Sequence, residues 1–557
     1  MSSGTIPPLG GRQAEGRLVL PLLLVLIGLA VYANSFTGQF IFDDYSCIVD
    51  NAPIRHLWPL PRVVSSPPEI AIAGRPVVAL SLAVNYAVGQ LDVWGYHAVN
   101  VALHLWSTLL LFGIVRRTLL SQRLRSRDGR EAAWLALTVA LLWMVHPLLT
   151  ESVTYIIQRT ELLVGLFYLL TLYCVIRGAK TPRGMGWYAA AVASCALGMA
   201  SKEVMVSAPF VVWLYDRVFL SASFRDAWRR RRGLYGGLAL TWLILAALVA
   251  AGARTTTAGF GVRGLTPWEY AMTQCGVIVQ YLRLAVWPHP LVVDYSDWPI
   301  ANTLAEAMPG AIVIAALGLA TLWALRHRPA VGFLGAWCFL VLAPSSSLLP
   351  IITEVAAERR MYLPLAALVG LIVVAGWSLL RRAVAGARLR RGLAAGLVTV
   401  LAGTLGAATV RRNEVYRSEV AILCDVIAKR PTNARAHYNL GIALAEQGRR
   451  EEAVRHFVEA LRLKPDYAEA HGNLGVVLAE QGKRKEAIAH YVQALRLNPG
   501  LAEAHNNLGL ELADEGRLEE AIVHYTEALR LQPNFPQASE NLSVAFARNT
   551  HGDRHPK

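Results

Sequence analysis

The sequence predicts an all-α protein with two parts, a polytopic membrane helix bundle and a C-terminal helical solenoid. Of its 557 residues, 54% are hydrophobic, a share that soluble globular proteins rarely reach. The apolar runs lie between residues 18 and 409, and most approach the length of about 20 residues that a membrane-spanning helix needs. From about residue 410 the chain becomes polar and repeats with a fixed period.

Eleven membrane spans are predicted from these apolar runs. They lie at residues 18–34, 96–115, 132–147, 160–177, 186–200, 204–219, 234–252, 305–325, 331–344, 361–380 and 392–409. The first run follows a short basic tail and precedes no cleavage site, so we interpret it as a retained anchor rather than a signal peptide. The stretch 267–290 is predicted to be a half-inserted or surface-lying helix, because a twelfth span would reverse the arginine-rich loops that follow.

These boundaries divide the chain into five segments. They are a cytoplasmic tail at 1–17, the transmembrane domain at 18–409, a linker with a degenerate half repeat at 410–433, a repeat domain of three repeats and a trailing helix at 434–549, and a tail at 550–557.

The arginines behind the net charge of +15 cluster in short loops between apolar segments, which indicates membrane topology rather than nucleic-acid binding. The loops richest in arginine are predicted to be cytoplasmic, and they are 116–130, 217–232 and 381–391. The other loops and the solenoid are then external. The six cysteines show no CxxC spacing, so neither a disulfide framework nor a metal site is predicted.

The external loops collect the unusual polar residues of the membrane domain. Asp43 and Asp44 directly follow the first span, and the other candidates are Arg75, His146, Glu151, Lys202, Glu203, Glu358 and Arg359. Each one alone is more often a loop residue or half of an ion pair. Together, a carboxylate pair and several cations suit one reaction, in which cations hold a phosphate and a carboxylate takes a proton from a hydroxyl.

Several motifs, in order along the chain, resemble those of the transmembrane and tetratricopeptide-repeat protein O-mannosyltransferases. They are "FDD" at 42–44, "HPLLTESVTYIIQRTELL" at 146–163, "LGMASKE" at 197–203 and "AERRMYLP" at 357–364. More broadly, the pattern is similar to the GT-C superfamily of membrane glycosyltransferases. The resemblance implies a GT-C-like bundle, a polyprenyl- or dolichyl-phosphate-linked sugar donor and an external site with acids in the first loop. It maps onto Asp43 as the base with Asp44 assisting.

The C-terminal period is 34 residues, since similar segments begin at 436, 470 and 504. They resemble tetratricopeptide repeats, which form paired helices. Asparagines recur at one position on the first helix of each pair, at Asn439, Asn473, Asn507 and Asn541. Their amides are predicted to bind the backbone of an extended peptide, with inherited surface polarity as the alternative. The recurring His437, His471 and His505 are predicted to be structural rather than metal ligands.

The leading hypothesis is an enzyme that moves a sugar, mannose by family analogy, from a lipid phosphate to Ser/Thr hydroxyls of exported proteins. No bound cofactor is predicted, and the partners are the lipid-linked donor, the protein acceptor and the bilayer. The site would face the periplasm of a bacterial inner membrane, or the lumen of the endoplasmic reticulum. The alternatives are a non-catalytic membrane scaffold and a transferase acting on lipid or polysaccharide. A transporter is disfavoured because no inverted repeat is found.

Overall fold

A computed structural model describes residues 11–124, 129–251, 265–347, 351 and 354–552. It divides into two compact units, Met1–Ser418 and Glu419–Lys557. Helix dominates both, and no strand forms within the described ranges. The predicted tails at 1–17 and 550–557 lie largely outside the described residues.

The first unit contains fifteen α-helices in its described part. They are α1 Gly11–Tyr32, α2 Leu60–Val64, α3 Pro76–Gly89, α4 Val93–Leu119, α5 Gly129–Met144, α6 Thr150–Thr154, α7 Arg159–Gly178, α8 Met185–Met199, α9 Ala208–Tyr215, α10 Phe224–Ala250, α11 Pro267–Val286, α12 Leu304–His327, α13 Pro329–Leu342, α14 Pro364–Ala383 and α15 Ala387–Val415.

Several of these helices begin at a side-chain cap that satisfies a free backbone donor. Asp92 accepts the Trp94 N–H at 3.2 Å ahead of α4. Thr266 and Glu269 form a reciprocal capping box at the start of α11. Such caps satisfy donors that a helix start otherwise leaves unpaired, so the polar residue at the head of an apolar run determines where the helix begins.

Within the described residues, seven helices are long and apolar enough to cross a membrane, and a bent pair, Gly129–Met144 with Pro147–Thr154, would make eight. The chain is thus a multi-pass membrane protein, but the predicted number of eleven spans is not confirmed. Predicted spans 186–200 and 331–344 form apolar helices of only 15 and 14 residues. Short or broken helices are tolerated where neighbouring helices, rather than lipid, surround the backbone.

The segment 204–219 differs from its prediction as a span, whereas the stretch 267–290 does not differ from its prediction as a non-spanning helix. The first is divided among the 3₁₀ segment Glu203–Ser207, α9 and the π-helical segment Asp216–Leu220, so it is not one regular helix. The second forms α11, which is not among the helices that qualify as spans.

The three predicted cytoplasmic loops meet at one end of this unit, which we call the arginine-rich end. The Trp377 indole donates to Glu131 at 2.8 Å and joins the end of α14 to the start of α5. Thr118 and Tyr215 bond through their hydroxyls at 2.6 Å and join the end of α4 to the end of α9. Clustering of these loops agrees with their assignment to one side of a membrane.

The second unit is built from antiparallel helix pairs. Its helices are α16 Glu419–Lys429, α17 Ala434–Glu446, α18 Arg450–Leu463, α19 Ala468–Glu480, α20 Arg484–Leu497, α21 Ala502–Asp514, α22 Leu518–Leu531 and α23 Pro536–Gly552. Within each repeat the two helices approach closely at one glycine. A Cβ on Gly475 would lie 2.7 Å from the Tyr491 ring, so only glycine allows the helices to pack this way.

Candidate functional site

The two adjacent aspartates of the first loop have different surroundings. Asp44 is fully buried, and its carboxylate accepts the backbone N–H groups of Ile41 at 3.1 Å and Ile157 at 2.9 Å. Burial raises the pKa of Asp44 well above its ordinary value, while these two bonds act in the opposite direction. Asp44 therefore fastens the loop to the segment that leads into α7.

Asp43 is exposed, and its backbone N–H donates to the Tyr155 hydroxyl at 3.1 Å. The preceding Phe42 has a φ of 46°, in the left-handed region that bulky residues rarely adopt. The Phe42 and Tyr155 rings contact each other with centroids 6.2 Å apart. This turn presents the first carboxylate to the surface and directs the second into the protein.

Arg359 is the centre of the ionic cluster. Its Nη1 donates to Glu151 Oε1 at 2.5 Å, and its backbone N–H donates to Glu151 Oε2 at 3.1 Å. Its Nη2 pairs with Glu354. The side chain of Glu151 is 1% exposed and that of Glu354 is 38% exposed. One arginine thus joins a buried carboxylate to one that water reaches.

Two further ion pairs complete the cluster. Lys202 pairs with Glu161 at the start of α7, and Arg75 lies 3.8 Å from Glu203. Burial lowers the pKa of Lys202, and the charges that act on its ammonium include Arg75, Glu203 and Arg359. The three cations come from separate loops of the sequence, but they lie close enough together to act on one another.

Tyr155 connects the first loop to this cluster. The charges that act on its hydroxyl include those of Asp43, Asp44 and Arg359. The exposed aspartate and the central arginine therefore lie within electrostatic reach of the same hydroxyl. Tyr155 is not among the candidates predicted from the sequence, although it lies inside the motif at 146–163, because no charge or spacing marks it as a connecting residue.

The two other candidates are engaged in bonds of their own. Glu358 accepts the Val292 N–H and the Tyr295 hydroxyl, both at 2.6 Å, and burial raises the pKa of Glu358 to about 7. His146 bonds through Nε2 to the Ala285 carbonyl at 3.2 Å, and its Nδ1 accepts a backbone N–H. Both ring nitrogens are used, so His146 anchors α11 in this structure.

The space beside Lys202 is small. A cavity of about 10 Å³ is lined by Glu161, Lys202, Arg360 and Tyr362, which is room for a single water molecule. A sugar therefore does not fit at this point of the cluster. Among the residues that the structure describes, no three His, Cys, Asp or Glu side chains are grouped so as to hold a metal ion.

The recurring asparagines of the repeat unit are all half-buried on the first helix of each pair. Their amides are partly used within the solenoid, since Asn473 donates to the Tyr438 hydroxyl at 3.0 Å and Asn541 donates to Asn506 at 3.0 Å. Each such bond uses one of the two amide protons, so the amide oxygen and the second proton still have bonding capacity.

Known proteins similar to this chain cover both of its units. Models described as "Tetratricopeptide repeat" match residues 423–468, 438–502 and 502–535. The chain is 27% identical to "Protein O-mannosyl-transferase Tmtc3" of Drosophila melanogaster over 82% of its own length. It is 28% identical to "Protein O-mannosyl-transferase TMTC4" of Mus musculus over 78% of its length, and 27% identical to the Homo sapiens TMTC4 over 82%.

The chain is a homologue of the TMTC protein O-mannosyl-transferases. It spans 56%, 65% and 67% of the lengths of these three relatives. The matched portion includes the membrane unit, because the repeat unit alone is far shorter than the aligned 503 to 528 residues. Among solved structures, the crystal structure of MamA protein matches 23% of the chain at 24% identity with a TM-score of 0.22.

Proposed function

We propose that the protein is an integral-membrane glycosyltransferase that moves a sugar from a polyprenyl- or dolichyl-phosphate donor to Ser/Thr hydroxyls of exported proteins. The names of its relatives support transfer of mannose to protein. The observation that carries the proposal is that Tyr155 links the two kinds of group: its hydroxyl accepts the backbone N–H of Asp43, an exposed residue, and its own backbone N–H donates at 3.3 Å to the carbonyl of Glu151, the partner of Arg359.

In this proposal Asp43 is the general base. It is the member of the aspartate pair that a substrate reaches, and deprotonating an acceptor hydroxyl makes it a better nucleophile toward the sugar carbon. The sugar–phosphate bond breaks as the new bond to the hydroxyl oxygen forms, and the proton passes to the carboxylate. Asp44 is a positioning residue, because its two oxygens hold the loop by backbone bonds.

The cations of the cluster hold the departing phosphate. In the structure each of them is matched by a carboxylate, so a phosphate must replace one of these partners. Glu354 is the replaceable one, because it is the most exposed of these partners, at 38% against 28% for Glu203, 5% for Glu161 and 1% for Glu151. A phosphate that takes its place on Arg359 Nη2 gains a charge-assisted hydrogen bond, while the pair between Nη1 and Glu151 keeps the guanidinium in position.

The repeat unit holds the acceptor in this proposal, with the asparagine amides bonding an extended peptide. Joining a peptide-binding solenoid to a catalytic unit raises the local concentration of hydroxyls. The site faces the periplasm or lumen, since the cluster lies at the start of α7 and the arginine-rich end lies at its finish. Glu161 and Arg177 are 16 residues apart on this helix, about 24 Å at 1.5 Å per residue.

The test is sugar transfer by the full chain in nanodiscs, with dolichyl-phosphate-mannose as donor and a Ser/Thr peptide as acceptor. We expect Asp43→Asn to lower kcat by about 10²-fold or more. The control is Asp50→Asn, which removes an exposed carboxylate from the same loop and should keep full activity. Equal activity of the two variants overturns the assignment of the base. If, in addition, deletion of 434–549 abolishes the cellular role, the scaffold alternative is correct.

A further inference from the structure

A second cavity opens between α1, α4 and α7, and its cationic end lies at the end of α7 opposite the ionic cluster. It encloses about 650 Å³, within the range of about 300–1,000 Å³ typical of ligand sites. Most of its lining is apolar, from Pro21, Leu109, Leu110, Phe112, Leu166 and Leu170. Arg116 and Arg117 also line it, at the end of α4, so the groove combines an apolar body with a cationic end.

The cations at this end are held in place by rings and carbonyl groups. The Arg117 guanidinium lies 4.7 Å from the Tyr173 ring centre and donates to the Gly113 carbonyl at 3.2 Å. Lys180 donates to the Arg117 carbonyl at 3.3 Å. The Arg177 guanidinium lies 4.6 Å from the ring centre of a neighbouring tryptophan.

This cationic group contrasts with the ionic cluster at the other end of α7. Within the described part of the chain, Arg116, Arg117, Arg177 and Lys180 make no ion pair with a carboxylate. The Nε of Arg116 is buried and has no hydrogen-bond partner. Buried polar donors normally have a hydrogen-bond partner, so this Nε–H is a donor available to an anionic ligand.

We propose that the groove binds an anionic glycerophospholipid, with an acyl chain against the apolar lining and the phosphate on Arg116 and Arg117. A lipid matches both features, because a chain fills the apolar body and a headgroup meets cations at the edge of the membrane. Basic pockets between transmembrane helices are known to bind anionic headgroups on the cytoplasmic side. The site is separate from the proposed donor site, which lies at the opposite end of α7.

The test is native mass spectrometry of the full chain released from nanodiscs of phosphatidylcholine alone or with one-fifth phosphatidylglycerol. We expect one retained phosphatidylglycerol per chain and a higher melting temperature in the mixed discs. Arg116→Gln with Arg117→Gln should weaken retention about 10-fold or more. Arg388→Gln with Arg391→Gln is the matched control, since it removes two exposed arginines from the 381–391 loop and should change nothing.

A third variant separates the groove from general surface charge and from misfolding. Leu110→Trp fills the apolar body, leaves both arginines in place and should also abolish retention. The proposal is overturned if the two double variants lose lipid equally, or if phosphatidylcholine is retained as well as phosphatidylglycerol. It is also overturned if added dolichyl phosphate displaces phosphatidylglycerol from the wild type, because the groove would then belong to the donor.

Discussion

Two ion pairs, one from each unit, are built in opposite ways. In the membrane unit Arg359 meets Glu151 across 208 residues of chain, and their side chains are only 11% and 1% exposed. In the repeat unit Arg449 meets Glu452 three residues away on the surface, where both are more than a third exposed. The first kind depends on the tertiary fold and in turn supports it, whereas the second forms wherever a helix forms.

The largest expected effect follows from breaking the buried pair. Glu151→Ala leaves Arg359, whose side chain is only 11% exposed, with the exposed Glu354 as its ion-pair partner, and we expect a loss of about 3–5 kcal/mol in the free energy of unfolding. The measurement is thermal unfolding in detergent, together with the yield of monodisperse protein. Glu151→Gln keeps an acceptor for the arginine and should be milder. If Glu151→Ala melts at the same temperature as the wild type, the pair does not support the fold.

The next effect tests the packing on which the solenoid depends. Gly475→Val places carbon atoms against the Tyr491 ring, and we expect a loss of about 1–3 kcal/mol from overpacking. Gly472 lies on the same helix, and a Cβ there meets nothing within 4 Å, so Gly472→Ala is the matched control and should be neutral or stabilising. Chemical denaturation followed by hydrogen exchange of peptides from 468–497 distinguishes the two. Equal losses would show that the close approach is not required.

The fold was largely predictable because its signals are local. Apolar runs of nearly 20 residues and a repeat period of 34 residues are both visible in the linear sequence, without knowledge of tertiary contacts. The number of spans was not predictable in this way, since short helices such as α8 lie inside the bundle and lack a full-length apolar run. The motifs named Glu151 and Arg359 as candidates, but no local pattern revealed that they pair with each other.

The histidines of the repeats show the same limit on a smaller scale. His471 was predicted to be structural, but its partner His490, 19 residues away, was not recognised. Their Nδ1 atoms lie 3.0 Å apart, and the Nε2 of His471 bonds to the Pro465 carbonyl at 3.4 Å. A carbonyl only accepts, so Nε2 carries the proton, His471 Nδ1 accepts and His490 donates. The same arrangement recurs in the other two repeats.

A moderate pH effect follows from these pairs. Burial lowers the pKa of His471 and of His490 below the ordinary value, although Glu486 acts in the opposite direction on His490. The folded state then binds fewer protons than the unfolded chain. Stability is full above the unfolded pKa of about 6.5 and is lost as pH falls below it.

The measurement is hydrogen exchange of peptides from 468–497 in the full chain, at pH 7.5 and pH 5.5, corrected for intrinsic exchange rates. We expect weaker protection at pH 5.5. A variant with His471→Gln and His490→Gln should lose much of this pH difference, because neither residue then titrates. A pH difference that survives unchanged in the variant would assign it to other groups.

The smallest expected effect is at the surface pair of the repeat unit. Glu452→Ala removes the partner of Arg449, but water solvates the exposed guanidinium at once, and exposed pairs of this type contribute little. We expect no change in the melting temperature and no change in the hydrogen exchange of peptides from 434–463. Added salt should also leave the wild-type repeat unit unaffected, since a screened surface pair has little to lose. If Glu452→Ala destabilises the protein almost as much as Glu151→Ala does, burial and distance along the chain do not determine how much an ion pair contributes. The contrast between the two pairs would then fail.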